Sequence, residues 1–430
     1  MDSTAGSTAL LTDHYELTML QAALKAGSAE RRAVFELFPR RLAGGRRYGV
    51  VAGVGRALDA IEAFRFGPEQ LAVLEGVVDG PTLEWLAGYR FTGDIWGYAE
   101  GETFFPHSPL LVVEASFAEA VVLETVLLSI YNHDSAIATA ASRMTMAAGE
   151  RPCIEMGSRR THEAAAVAAA RAAYVAGFTA TSNLAARARY GVPTTGTSAH
   201  AFTLLHDTEE QAFRAQVASL GKGTTLLVDT YDIAEAVAKA VEIAGPELGA
   251  VRIDSGDLGL LAHDVRRQLD DLGATETKII VTSDLDEYAI AGLAAAPVDG
   301  YGVGTQLVTG SGHPTAGFVY KLVAREGASG DLEPVAKKSA SKASIGGRKY
   351  ALRRRDRKDV ADAEVIGIGA APAGDNNDRP LLTQLVSKGE VVGREPLDAA
   401  RERHQASVAE LPVVAHSLLK GDPVIPTLFQ

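Results

Sequence analysis

Residues 225–259 read TLLVDTYDIAEAVAKAVEIAGPELGAVRIDSGDLG. Two short apolar runs, TLLVDT and GAVRID, each end in acidic and small polar residues, and an Ala-rich segment of helical period separates them. Continuous apolar strands that alternate with helices indicate parallel pairing in a sheet buried on both faces. Working outward, the pattern recurs at CIEMG (153–157), GFTAT (177–181), VPTTGT (192–197), KIIVTS (278–283) and GYGVGT (300–305). That makes seven candidate parallel strands. Seven fit an irregular α/β barrel better than an open sheet, and in both architectures ligands sit at the carboxyl ends of the strands. The unusual polar residues gather at that end: Arg159, Ser182, His200, Asp229, Asp254, Asp284 and Thr305.

The flanks read differently. Asp13 with Glu16 three residues on reads as a helix start, and Leu17, Leu20 and Leu24 give an apolar stripe that stops at Gly27. AVFELFPR (33–40) is strand-like, and WGYAEGETFFPHSPLLVVEAS (96–116) reads as a β-meander turned by Gly101, Pro106 and Pro109. A helix over about 118–148 should lead into the barrel. Beyond Glu326 the chain returns to strand-like pieces and the turn AAPAGDNNDRP. The expected organisation is an N-terminal α+β domain (1–130), an α/β barrel (131–330) and a C-terminal segment (331–430) that rejoins the first domain.

Composition narrows the function classes. With 430 residues, 47% hydrophobic and 22% charged, the chain can bury a large core. Its net charge of −12 excludes a general electrostatic affinity for nucleic acid or anionic membrane, so an anionic ligand must be held by local groups. No stretch approaches the roughly 20 apolar residues that span a bilayer. The N-terminal MDSTAGSTALLTDHYE lacks a basic n-region and an apolar core, so a cytoplasmic location is expected. Cys153 is the only cysteine, which rules out an internal disulfide and a thiolate zinc cluster.

Several loops carry candidate chemistry. VRIDSGDLG (251–259) sets Arg252, Asp254 and Asp257 at a strand end, where carboxylates beside a guanidinium can bind ribose hydroxyls, hold Mg²⁺ or stabilise a cationic sugar carbon. The bland alternative is a salt bridge capping the next helix. DGYGVGTQLVTG (299–310) offers Gly302, Gly304 and Thr305 before a helix as a phosphate site, and Ser283 and Asp284 of TSDLDE stand in a similar position. Arg159 and Arg160 can clamp a carboxylate or phosphate. PRRLAGGRRYG (39–49) is a second basic cluster that could reach a ligand in another subunit. In GTSAH (196–200), His200 has a side chain suited to proton or phosphoryl transfer, although a lone histidine is more often a packing residue.

TDHYELTM (12–19), GSRR (157–160), ATSN (180–183), GTSAH (196–200), RIDSGD (252–257) and GVGTQLVT (302–309), in that order, resemble the nicotinate phosphoribosyltransferase family. The resemblance implies a type II phosphoribosyltransferase fold, an irregular seven-stranded α/β barrel joined to an α+β domain. It also implies a homodimer with shared active sites. The implied reaction joins nicotinate to phosphoribosyl pyrophosphate, with Mg²⁺ as cofactor and with ATP hydrolysis coupled through a phosphohistidine at His200. By motif, His200, Arg252 and Asp254 would be catalytic, with Arg252 and Thr197 contacting nicotinate and Asp254 the ribosyl end. Tyr15 would stack on the pyridine from the neighbouring subunit, and Thr305 with Gly302 and Gly304 would hold the 5′-phosphate. Arg159, Arg160, Ser182, Asp229, Asp257, Ser283 and Asp284 complete the expected substrate-binding set, with the metal ligands left open. Nicotinamide-using relatives place an Asp where this chain has Ser182, which favours the acid as substrate. The sequence departs from the family at Met156, where relatives often carry an aromatic, and at KASIGGRK (342–349), which lacks a common proline. A nicotinamide or quinolinate phosphoribosyltransferase, or an inactive ligand-binding sensor, are the alternatives.

Overall fold

The computed structural model describes residues 6–337 and 344–430; the first five residues of the N-terminal stretch and the first two of KASIGGRK lie outside them. The chain forms two compact units, Met1–Thr139 with His313–Gln430, and Ala140–Gly312.

The second unit is built on six parallel strands. Their spatial order is Ala180–Thr181, Cys153–Glu155, Gly300–Val303, Lys278–Ser283, Ala250–Ile253 and Thr225–Leu227. Val251, Ile253, Ile279, Val281, Tyr301 and Val303 have no exposed surface, as strands covered on both faces require. Strands consecutive in the chain are neighbours throughout, except Ala180–Thr181 and Thr225–Leu227, which lie at opposite edges of the curled sheet. VPTTGT, expected as a strand between those two, is reduced to a single parallel bridge, Thr181 to Thr194. Pro193 has no N–H to give a ladder, and Thr195, Gly196 and Thr197 are exposed, which leaves Val192 as the segment's one buried side chain.

The helices between strands are amphipathic and capped. Ile233–Ala244 buries Ala236, Val237, Ala240, Val241 and Ala244, one helical face, and begins at Asp232, whose carboxylate accepts from Glu235 N. Asp257 caps Leu258–Asp271 by accepting from Leu260 N, and Asp286 caps Glu287–Gly292 by accepting from Tyr288 N and Ala289 N. Each acidic cluster therefore divides its labour. The first aspartate (229, 254, 284) stays at the strand end and the last (232, 257, 286) starts the helix.

The first unit holds a seven-stranded antiparallel sheet in which Arg32–Pro39 is flanked by Phe318–Glu326 and Leu111–Ser116. Asp94–Tyr98 pairs with Leu111–Ser116, while Thr103–Phe104 leaves the expected meander to pair with Gly49–Val50. Beside this sheet, Arg353 is fully buried among Glu364 at 3.1 Å, Glu410 at 2.9 Å and the Thr103 carbonyl at 2.9 Å. The N-terminal helix runs His14–Lys25 and ends before Gly27, whose φ of +67° suits glycine. The helix starts where Asp13 and Glu16 indicate, but without their side chains capping it. Asp13 makes no side-chain cap, and Glu16 turns inward to accept from Thr12 Oγ1 at 2.5 Å and Thr125 N at 3.0 Å. The long helix is also broken, into Phe117–Val121 and Glu124–Ala148.

Candidate functional site

At the carboxyl ends of the parallel strands lies a cavity of about 580 Å³. Of the sequence-derived candidates, Arg159, Arg160, Ser182, Thr197, Arg252, Asp254, Ser283, Asp284, Gly302, Gly304 and Thr305 all line it. Three guanidinium groups face it against two carboxylates, a local positive bias in an acidic chain. No aromatic ring is among its lining residues.

Arg252 leaves the strand Ala250–Ile253 and donates from Nη1 to Thr197 Oγ1 at 2.8 Å. Its Nε is buried with no hydrogen-bond partner. Burial pulls this guanidinium below its ordinary pKa, with Arg159 acting in the same direction and Asp254 and Asp229 opposing. A partly desolvated guanidinium with a spare N–H is prepared for a planar anion. Asp254, at the end of the same strand, accepts from the Thr282 hydroxyl, while its backbone N donates to Asp229 Oδ2 at 2.9 Å.

Asp229 and His200 stand beside the cavity and do not line it. The Asp229 side chain is 1% exposed and also accepts from Ser255 Oγ at 2.7 Å. Its other oxygen lies 3.8 Å from His200 Nε2, and His200 Nδ1 is 3.1 Å from Thr230 Oγ1. The imidazole thus faces, beyond hydrogen-bond distance, the carboxylate whose other oxygen holds the loop that carries Asp254. Asp257 is exposed and engaged as a helix cap, away from the cavity, as the bland reading of VRIDSGDLG has it. Gly256, at φ +88°, serves the turn.

Gly302 and Gly304 line the cavity, and Gly302 also has a packing role. A Cβ on Gly302 would lie 2.4 Å from Thr282 Cγ2 and 2.7 Å from Met156 Sδ, so Gly302 permits two strands and a loop to meet. The helix after Gly304 is only Thr305–Val308, one turn, and offers little of a macrodipole. Tyr15 belongs to the first unit, is 46% exposed, and is not a cavity residue. Its hydroxyl is pushed up to about 12, mainly by burial and then by Glu124 and Glu16.

Sequence reasoning missed Glu155, Ser158, Asn183 and Thr282. Glu155 is fully buried at the end of Cys153–Glu155 and accepts from Gly157 N at 2.5 Å and from the Thr181 hydroxyl. A single glutamate inside the apolar run CIEMG was the available signal.

A family model described as the nicotinate phosphoribosyltransferase (NAPRTase) N-terminal domain matches residues 10–132. The nicotinate phosphoribosyltransferase pncB1 of Mycobacterium tuberculosis is 57% identical over 427 residues, covering 97% of this chain and 94% of that protein. The nicotinate phosphoribosyltransferase of Bacillus subtilis is 39% identical over 332 residues, covering 74% and 67%. Among solved structures, human nicotinic acid phosphoribosyltransferase superposes with a TM-score of 0.84 at 25% identity, covering 97% of each chain.

Proposed function

The chain belongs to the nicotinate phosphoribosyltransferase family, and from that premise we propose how its residues perform the reaction. Nicotinate and 5-phosphoribosyl 1-pyrophosphate give nicotinate mononucleotide and pyrophosphate, a step of NAD salvage. The pyridine nitrogen attacks C1′ with its own lone pair as the C1′–O bond breaks, and the electrons leave with pyrophosphate. No general base is needed. The protein's work is to align the two substrates and stabilise separating charge.

The observation that carries this reading is Arg252, half-buried at the cavity with a buried Nε that no protein group satisfies. It would pair with the nicotinate carboxylate, with Thr197 steadying it and Ser182 donating its hydroxyl to the same group. Asp254 would face the ribosyl carbon as positive charge develops, and Gly304 and Thr305 would take the 5′-phosphate. Arg159, Arg160, Ser283 and Asp284 would hold the diphosphate end.

Mg²⁺ fits the site as an ion carried by the diphosphate. Among the described residues there is no group of three or more His, Cys, Asp or Glu that could cage a metal, whereas Asp254 and Asp284 can each add a carboxylate to phosphate oxygens, the usual magnesium arrangement. Bound there, it would neutralise charge on the leaving group.

His200 would accept the γ-phosphoryl group of ATP and release it to water, and its proximity to Asp229, which holds the Asp254 loop, would give phosphorylation a route to substrate affinity. The absence of an aromatic ring among the cavity residues, with Tyr15 exposed on the first unit, supports a homodimer in which a second copy supplies the stacking ring. The cyclic strand order and the Thr194 bridge support an irregular seven-stranded barrel. Among the described residues no helix is long and apolar enough to cross a membrane, and we place the enzyme in the cytoplasm.

Pyrophosphate release with each base tests the assignment. Nicotinate should be used far better than nicotinamide, and Ser182→Asp should lower kcat/KM for nicotinate by roughly 100-fold or more, since like charges in a desolvated site cost several kcal/mol. Equal use of both bases by the unaltered enzyme would refute it.

A further inference from the structure

The geometry points to Glu155 as a positioning residue for base recognition: its carboxylate locks the loop carrying Ser158–Arg160 to the loop carrying Ser182, and so sets the preference for an acid over an amide without touching substrate. This inference rests on the reading that the cavity holds the base.

Four hydrogen bonds close a ring between the two loops. Gly157 N donates to Glu155 Oε1 at 2.5 Å, and the Thr181 hydroxyl donates to Oε2. Asn183 N donates to Thr181 Oγ1 at 2.9 Å, and Asn183 Nδ2 donates to Ser158 Oγ at 3.0 Å, returning to the first loop. The backbone adds a fifth tie, Ser182 N to the Glu155 carbonyl at 2.9 Å. Ser182 thus sits between two residues, Thr181 and Asn183, that are both fixed by the ring.

Glu155 has no exposed surface and pairs with no cation among the described residues. Burial raises its carboxyl pKa, against the Thr181 and Gly157 hydrogen bonds. A carboxylate desolvated to this degree opposes folding, and a purely structural cross-link would be served as well by a neutral amide or by apolar packing. What the carboxylate uniquely offers is two acceptor oxygens, so that both loops donate to one rigid group. The loops then hold one separation, and Ser182 meets the ligand at a fixed distance from Arg159. Selectivity that depends on a hydrogen bond to a substrate carboxylate is sensitive to that distance.

The experiment measures kcat and KM for nicotinate and for nicotinamide in Glu155→Ala, Glu155→Gln and Thr181→Val, with melting temperatures, and with Ser182→Ala and Arg252→Ala alongside. Glu155→Ala is expected to raise the KM for nicotinate at least tenfold, with a smaller change in kcat, and to reduce the nicotinate to nicotinamide ratio of kcat/KM at least tenfold. Thr181→Val breaks the ring from its other side and should lower the same ratio. Glu155→Gln, which keeps one acceptor for Gly157 N, should recover part of the ratio. If Glu155→Ala does not fold, Thr181→Val and Glu155→Gln decide. A parallel fall for both bases, with the ratio unchanged in the folded variants, would overturn the inference. If Ser182→Ala and Arg252→Ala also leave base kinetics unchanged, the underlying assignment of the cavity is what fails.

Discussion

Replacing Gly302 with alanine tests whether the cavity floor is as tightly built as it looks. Gly302 lies in Gly300–Val303, paired with Thr282 on one side and Ile154 on the other, and is fully buried. An added Cβ would stand 2.4 Å from Thr282 Cγ2 and 2.7 Å from Met156 Sδ. Carbon contacts prefer about 3.5–4.0 Å, so Thr282 must retreat by about 1 Å. Met156 can swing aside on its flexible thioether. Thr282 cannot do so freely, because it is β-branched, buried, and donates its hydroxyl to Asp254 Oδ1. The strain should therefore reach Asp254 at the cavity. Overpacking of this kind costs about 1–3 kcal/mol of stability, and a displacement of about 1 Å at a reacting centre can reduce turnover on the order of 100-fold. Urea unfolding and steady-state kinetics on Gly302→Ala should show both effects. Adding Thr282→Ser, which deletes Cγ2 and keeps the hydroxyl for Asp254, should restore most of kcat/KM, whereas adding Met156→Ala should restore little. A double variant with Thr282→Ser no better than Gly302→Ala alone would refute the reasoning.

His200→Ala should abolish ATP hydrolysis and acid-labile labelling from γ-labelled ATP while retaining slow, ATP-independent nucleotide synthesis at high substrate; label persisting in that variant would place the phosphoryl group elsewhere. Tyr15→Ala and Asp254→Ala, each inactive alone, should regain part of their activity when mixed under conditions of subunit exchange, and no recovery despite demonstrated heterodimers would argue against a shared site. Glu16 is fully buried, and its pKa rises from 4.5 to about 7, chiefly through burial and against its bonds from Thr12 and Thr125. Because the folded value exceeds the unfolded one, its stabilising share is complete below about pH 4.5 and is lost as pH rises through about 7. That loss amounts to about 3 kcal/mol, so Glu16→Gln should flatten the fall in urea midpoint between pH 5 and 8, and unchanged pH slopes would contradict the assignment.

The parallel strands were legible because burial on both faces leaves unbroken apolar runs, as in KIIVTS and GAVRID. VPTTGT misled because a valine and β-branched threonines imitate such a run, while Pro193 removes a ladder donor and only Val192 of its side chains is buried. Thr197 was found only through the family resemblance, whereas Arg159, Ser182, Asp254, Asp284 and Thr305 were found by their strand-end address, since parallel pairing puts every such loop on one side. The exceptions follow a rule visible only with the helices in place. In DTYD and DSGD the aspartate that precedes the helix is its cap, so Asp257 joins Asp232 as a local structural residue while Asp229 and Asp254 remain at the strand ends. Glycines in GYGVGT suggested exposed N–H groups, but at Gly302 the reason is a close approach between strands, which sequence spacing does not encode. Glu155 escaped because its partners, Gly157 and Thr181, are brought together only by the pairing of Cys153–Glu155 with Ala180–Thr181.

The central claim is that the cavity over the parallel sheet is where base and phosphoribosyl group meet. A crystal structure of the enzyme with nicotinate mononucleotide tests it most directly. The product should lie in that cavity, with its pyridine carboxylate on Arg252 and Ser182 and its 5′-phosphate at Gly304 and Thr305. Product bound elsewhere, with Arg252 making no contact to the carboxylate, would contradict the account.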